Sequence, residues 1–372
     1  MKPKHLILIL TFLMSIPTNV ISQEITTLEI DQPAPDFNLP GVDGRNYSLS
    51  DFNADILVII FTCNHCPTAQ TYEDRIIKLV DTYKKKGVDF VAISPNDPQS
   101  VRLDELGYTD LGDDLEDMKI RAEYKGFNFP YLYDGYDQAV SKKYGPVATP
   151  HVFIFDSERK LKYVGRIDDS EDRITADTRF DTRDALEALL IGKTPTVQKT
   201  KTFGCSIKWA DKRESVKNYY KKIYSEEVKV QMIDVDGIKS VIKNDSENLR
   251  LINVWATWCG PCITEFPDLV EINFMYRNRN FELVTISADK PDKGEAVKEF
   301  LEKNHASCTN YLFNSTDKYA LIEAVDPKWQ GALPYTMLVK PGGEILYSGQ
   351  GTIDPLDMKR KIVGVLGRYK DW

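Results

Sequence analysis

The sequence predicts an α/β protein built from two tandem modules of one plan, each a central mixed β-sheet flanked by helices. Three observations carry this. The apolar run Ile56-Leu57-Val58-Ile59-Ile60-Phe61 leads into Cys63-Asn64-His65-Cys66, and Leu251-Ile252-Asn253-Val254-Trp255 leads into Cys259-Gly260-Pro261-Cys262. A helix-like segment follows each cysteine pair. Downstream of each comes a proline that opens a further strand: Thr149-Pro150 before His151-Val152-Phe153-Ile154-Phe155, and Leu333-Pro334 before Tyr335-Thr336-Met337-Leu338-Val339. Alternating strands and helices that end in a hairpin and a helix give a mixed sheet covered on both faces.

Bulk properties agree. A chain of 372 residues fits two domains of roughly 100–200 residues each. Its net charge of −8 gives no reason to expect nucleic acid as a partner. Residues 1–22 read as a signal peptide. Lys2 and Lys4 precede an apolar run, 6–16, that is too short for a membrane span of roughly 20 residues, and Val20-Ile21-Ser22 is a cleavage site. An uncleaved anchor is the other reading. A periplasmic location is expected.

The first module covers 24–192. Pro35-Asp36-Phe37-Asn38-Leu39-Pro40 with Asp43-Gly44 reads as an opening hairpin. Strand 56–62, helix 66–86 and strand 88–94 follow. Residues 95–115 are rich in Asp and Glu and read as a solvated loop and helix start, with a cation or partner site as the alternative. A helix near 116–125, a strand at 131–133 and a helix near 137–144 lead to Pro150. Strands 151–156 and 161–167 pair across Asp156-Ser157-Glu158-Arg159, and a helix over 182–190 stops at Gly192. Residues 193–228 form a connector with a charged helix over 211–226. The second module, 229–372, has a strand pair turning at Asp236-Gly237, strand 249–257, helix 262–278, strand 281–288 and helix 292–304. Strand 311–313, helix 317–325, strands 335–340 and 345–348, and a helix from Pro355 complete it.

Six cysteines in an exported chain could form three structural disulfides. Four of them lie in two-residue gaps, and so small a loop stabilises little by chain entropy, so these pairs read as chemistry. A thiol attacks as thiolate, and the amides and dipole at a helix N-terminus stabilise that charge. Cys63 and Cys259, placed at strand–helix junctions, are the expected nucleophiles; Cys66 and Cys262, one turn inward, are the expected resolvers. His65 can donate a hydrogen bond or positive charge toward the Cys63 thiolate, which stabilises the reduced form and makes that disulfide the more oxidising. Zinc is the alternative for paired C-x-x-C elements, but such sites usually place roughly 15–20 residues between the pairs. Here the pairs, Cys66 and Cys259, lie roughly two hundred residues apart. No metal or other cofactor is expected.

The second module resembles thioredoxin-fold domains of the TlpA/ResA type, on Trp255-Ala256-Thr257-Trp258-Cys259-Gly260-Pro261-Cys262 and Glu265-Phe266-Pro267. The resemblance implies that Pro334 is the cis-proline beside the disulfide. Asn253 stands where thioredoxin has a buried aspartate, which leaves Glu265 as candidate proton acceptor for Cys262, or else as a solvated helix carboxylate. The first module resembles the redoxin group, thioredoxin-like proteins related to peroxiredoxins. Pro35 to Pro40, Phe61-Thr62-Cys63-Asn64-His65-Cys66-Pro67 and Thr149-Pro150-His151 carry the likeness. Pro150 would be its cis-proline. The threonine that a peroxiredoxin needs three residues before its reactive cysteine is Ile60 here. DsbA-type oxidants share only the histidine before the second cysteine.

These readings point to an exported thiol–disulfide oxidoreductase that exchanges disulfides with protein thiols. An electron donor or acceptor, soluble or membrane-bound, is implied, and electrons could pass between the modules. Thiol-dependent peroxide reduction is the alternative function, and a binding module for clients or a metal ion is the third. Cys308 reads as a core thiol. Cys205 could relay electrons, pair with Cys308 or pack.

Overall fold

The computed structural model describes residues 25–171 and 174–368, so the expected signal peptide lies outside the described residues. In the first module β1 (Asn38–Pro40) and β2 (Asn46–Ser48) form the opening hairpin. Then come β3 (Ile56–Phe61), α1 (Pro67–Tyr83), β4 (Val88–Ser94), α2 (Leu115–Lys125), β5 (Tyr131–Tyr133) and α3 (Ala139–Tyr144). The short β6 (Ala148–Thr149), β7 (His151–Phe155), β8 (Leu161–Gly165) and α4 (Asp181–Leu190) follow. The sheet order is β5-β4-β3-β7-β8, with β3 parallel to β4 and antiparallel to β7. Every residue of β3 is buried, because it is the middle strand and helices cover both its faces. That run could therefore be continuously apolar rather than alternating.

The connector holds β9 (Cys205–Ser206) and α5 (Arg213–Tyr224). The second module has β10 (Gln231–Ile233), α6 (Val235–Lys243), β11 (Leu249–Trp255), α7 (Gly260–Tyr276), β12 (Phe281–Ser287) and α8 (Gly294–Lys303). It ends with β13 (Thr309–Phe313), α9 (Lys318–Val325), β14 (Tyr335–Val339), β15 (Ile345–Gln350) and α10 (Pro355–Leu366). Its sheet order is β10-β13-β12-β11-β14-β15. No helix among the described residues is long and apolar enough to cross a membrane.

Two expectations need correction. Asp236-Gly237 does not turn a hairpin; it lies in the first turn of α6. The Asp234 carboxylate accepts the Gly237 N–H at 2.8 Å and caps the helix, while Ile238, Val241 and Ile242 supply the helical spacing that packs on the core. The acidic stretch 95–115 is not a solvated loop. Asp97, Asp110 and Asp113 are all buried. Leu103 and Leu106 of this stretch pack on the core of the second module. Tyr276 of α7 donates its hydroxyl to Thr109 O at 2.7 Å, and Arg279 donates to Gly107 O at 2.8 Å. A Cβ at Gly107 would lie 2.8 Å from Met275 O, so the close approach requires glycine.

Asp110 is the charged centre of this seam between modules. Arg368 and Arg360, both from the second module, reach it at 2.6 and 3.1 Å, and Arg121 of α2 stands 3.5 Å away. Burial pushes the Asp110 carboxyl up, but the guanidinium groups outweigh it and hold it below its usual value. Arg121 is shared with Glu73, a bidentate pair at 2.7 Å for each bond. Acidic residues that look solvated in sequence are thus compensated by arginines far away in the chain.

Candidate active sites

The first site forms where β3 ends, and the helix there begins at Pro67, within one residue of the expected start at 66. Cys66, not Cys63, is the N-cap of α1. Pro67 explains this: proline has no N–H to donate and is favoured at the first helical position. In the second module the proline, Pro261, lies between the two cysteines, so α7 starts at Gly260 and Cys259 is the cap. The two C-x-x-C pairs therefore present opposite members to the helix N-terminus.

Cys66 is fully buried, and its Sγ accepts the Ala69 N–H at 3.4 Å and the Cys205 N–H at 3.3 Å. Burial pushes its thiol up. Hydrogen bonds from the Cys205 and Cys63 side chains, the His65 charge and the Ala69 amide outweigh burial and bring it well below an ordinary thiol. Cys66 Sγ also donates to the Thr149 carbonyl at 3.4 Å, a contact that favours the protonated form. Cys63 goes the other way. Burial, its hydrogen bond to Cys66 and the negative charge of Asp113 keep it protonated, with Sγ 3.1 Å from Thr149 Oγ1.

His65 does not stand free beside the sulfurs. Its Nδ1 is hydrogen-bonded to Asp113 Oδ2, and both residues are buried. Asp113 also accepts N–H groups from Asn64 at 2.8 Å and His65 at 3.1 Å, and the Asn96 amide at 2.8 Å. Burial opposes charge on both partners, yet each holds the other ionised: His65 is raised and Asp113 lowered. The result is a buried imidazolium next to Cys66. Cys63, His65 and Asp113 offer donor atoms within 4.8 Å of one another, a spacing that could hold a metal ion. The His65–Asp113 pair already neutralises itself without one. His151 is also buried, accepts the Val147 N–H at 3.3 Å and is pushed down by burial to about 4, so it is neutral at ordinary pH.

At the second site Cys259 and Cys262 are joined in a disulfide, and Cys259 Sγ accepts the Cys262 N–H at 3.3 Å. Trp258 beside them is 69% exposed. Asn253 and Glu265 lie in the core behind. The Asn253 amide donates to Glu265 Oε1 and Thr336 Oγ1, both at 2.9 Å, and Glu265 Oε2 accepts the Ile353 N–H at 3.0 Å. Glu265 is thus no solvated helix carboxylate. It is buried, and burial raises it above the usual carboxylate value.

Pro150 and Pro334 are both preceded by cis peptide bonds, Thr149-Pro150 and Leu333-Pro334. Cys205 and Cys308 do not meet. Cys308 packs in the second core and gives its thiol to Asn310 Oδ1 at 3.3 Å, and burial pushes it up to about 12. Cys205 packs against Cys63, Cys66 and Ala69. Sequence reading missed Asp113 as a member of the first site, because nothing local distinguishes it from the other acids of its stretch.

Comparison with known proteins follows the same lines. A family model, the AhpC/TSA family, matches residues 30–164 and again 227–348, well over half of the chain. The thiol-disulfide oxidoreductase ResA of Oceanobacillus iheyensis is 30% identical over 149 residues, which are 39% of this chain and 68% of that protein. The ResA of Geobacillus thermodenitrificans is 25% identical over 141 residues, 38% of this chain and 71% of that protein. Among solved structures, an uncharacterized conserved protein from Geobacillus kaustophilus is 38% identical, with a TM-score of 0.44, covering 49% of this chain and 92% of its own. The fold has the mixed sheets and flanking helices expected of two thioredoxin-like domains, and one family model accounts for both halves. The chain belongs to the AhpC/TSA family, represented twice in tandem.

Proposed function

We propose that this thiol–disulfide oxidoreductase works outside the cytoplasm through two separate exchange sites of unequal potential. The observation that carries the reading is the buried His65–Asp113 pair beside Cys66, in which His65 is held charged and helps to hold Cys66 as thiolate. At the first site the Cys66 thiolate attacks a client disulfide, forms a mixed disulfide and expels one client thiolate. The Cys63 sulfur then attacks Cys66 Sγ and expels the second. The client leaves as a dithiol, reduced by two electrons that the Cys63–Cys66 pair gives up as it becomes a disulfide. The second site, a Cys259–Cys262 pair at a helix start with no comparable buried cation among the described residues, exchanges with donor thiols and can return electrons to the first.

A stabilised thiolate favours the reduced form, so Cys63–Cys66 should be the more oxidising pair. Titration of the whole chain in redox buffers, with differential alkylation and mass mapping of all six cysteines, is expected to place it higher by more than roughly 30 mV, about 1.4 kcal/mol for two electrons. Coincident potentials, or a more reducing first pair, would refute electron flow from the second site to the first. Export is tested by fractionation. The expected result is a mature chain cleaved after Ser22 and recovered outside the cytoplasm; full-length chain in the cytosol would rule this out.

Peroxide reduction gains nothing from Cys66 standing at the cap. Counted from Cys66, the residue three places before is Cys63; counted from Cys63, it is Ile60. Neither place holds the threonine expected of that chemistry.

A further inference from the structure

We propose that Cys205 is a third exchanging thiol of the first site, and that a Cys66–Cys205 disulfide forms during turnover. This rests on the reading of Cys66 as the attacking thiolate. The connector does not merely pass the site. Its strand β9 pairs antiparallel with β6, with Cys205 opposite Thr149 and Ser206 opposite Ala148, immediately before Pro150. Cys205 then faces Cys66: its N–H reaches Cys66 Sγ at 3.3 Å, and its side chain packs against Cys63, Cys66 and Ala69.

The strand is held on both sides of Cys205. Thr202 donates its hydroxyl to Pro150 O at 2.8 Å. The Lys208 N–H donates to Asn96 Oδ1 at 2.9 Å, and Lys208 O accepts the Asp97 N–H at 3.0 Å. Asn96 is the same side chain that bonds Asp113, so the strap and the charged pair share a support. Gly204 makes the approach possible. Its φ is +135°, and a Cβ there would lie 2.0 Å from Thr149 O. A thiol that only packs needs neither the pairing nor this glycine. Among the described residues no strand lies in the same way beside Leu333 of the second module, so the strap is specific to the first site.

Cys66 is thus flanked by two thiols, Cys63 and Cys205, and a mixed disulfide on Cys66 has two possible resolvers. In the step assigned to Cys205, its sulfur attacks Cys66 Sγ in the mixed disulfide. The Cys66–client bond breaks, the client leaves as thiolate, and the proton lost by Cys205 goes to it. Two electrons have passed to the client disulfide over the whole sequence, and Cys66–Cys205 is the oxidised product.

The test uses the full chain carrying Cys63→Ser, Cys259→Ser and Cys262→Ser, with oxidised glutathione as probe. The expected result is release of both glutathione thiols per chain and a Cys66–Cys205 linkage in non-reducing peptide maps. Adding Cys205→Ala should leave glutathione bound to Cys66 and lengthen the life of that mixed disulfide at least about tenfold. Wild-type chain quenched in acid early in oxidation should also contain some Cys66–Cys205 linkage, a readout independent of how any variant folds. A glutathionylated Cys66 that persists while Cys205 stays alkylatable overturns the proposal. No glutathione on Cys66 in any variant would overturn the exchange reading of the first site itself, and this proposal with it.

Discussion

Replacing Cys66 with serine is expected to abolish exchange at the first site, while Cys63→Ser leaves the first attack intact. The contrast follows from which sulfur carries the charge. An ordinary thiol has a pKa near 8.5 and is only a few per cent thiolate at pH 7. Cys66 is held well below that by the His65 charge, the Ala69 and Cys205 amides and the neighbouring thiols, whereas Cys63 is held well above it by burial, Cys66 and Asp113. In Cys66→Ser the only remaining sulfur of the pair is one that burial and the Asp113 charge still hold protonated. The reduced protein should therefore lose its ultraviolet thiolate absorbance at neutral pH, and mixed-disulfide formation with oxidised glutathione at this site should slow on the order of 100-fold or more. In Cys63→Ser the thiolate absorbance should remain and a mixed disulfide on Cys66 should form. The reverse pattern, with the thiolate lost in Cys63→Ser and kept in Cys66→Ser, would return the nucleophile to Cys63.

Asp113→Asn should cost both stability and reactivity. Breaking a buried ion pair by removing one partner typically costs about 3–5 kcal/mol, because the other charge is left uncompensated. Asparagine can still accept the backbone N–H bonds from Asn64 and His65, so a loss near the lower end, about 3 kcal/mol, is expected in urea unfolding. Without the carboxylate, burial and the Lys208 charge favour neutral His65 and the Cys66 charge opposes them; burial is the largest of these, so Cys66 loses the adjacent cation. Exchange at pH 7 should then fall at least about tenfold. The pH dependence has a fixed direction. His65 is raised in the fold, so its contribution is complete below its unfolded value of about 6.5 and fades as pH rises through the folded value. Asp113 is lowered, so its contribution is complete above about 3.9 and fades as pH falls through the folded value. The comparison is best made in a Cys66→Ser background, where the thiolate is absent. There the stability gap between the chain that keeps Asp113 and the chain with Asp113→Asn should be widest between those limits and narrow toward alkaline pH. A gap that stays constant up to about pH 9, well above the ordinary histidine range, would mean that His65 is not charged in the fold.

Much of this is readable in the linear chain because it depends on neighbours in sequence. The continuous apolar run at Ile56–Phe61 marks a middle strand, since only a strand covered on both faces can dispense with alternation. The position of proline relative to each cysteine pair settles where each helix begins. Pro67 and Pro261 carry that signal, and a single template laid over both pairs hides it. At Asp236-Gly237 a local turn signal competes with a local cap two residues earlier, and the cap wins because Ile238, Val241 and Ile242 have a core to enter.

Short-range patterns of apolar period, cap and spacing are enough to specify the two modules, most of their order of elements, the four paired cysteines and the two cis-prolines. Which cysteine of the first pair carries the charge, what His65 is bonded to and what lies against Cys66 depend instead on the folded chain. Asp113 reaches His65 across 48 positions and Cys205 reaches Cys66 across 139. Contacts closed over such distances leave no local trace in composition or period. They exist only once the sheet, the buried acidic stretch and the connector strand have brought the groups together in a medium where an unpaired charge is too costly to keep.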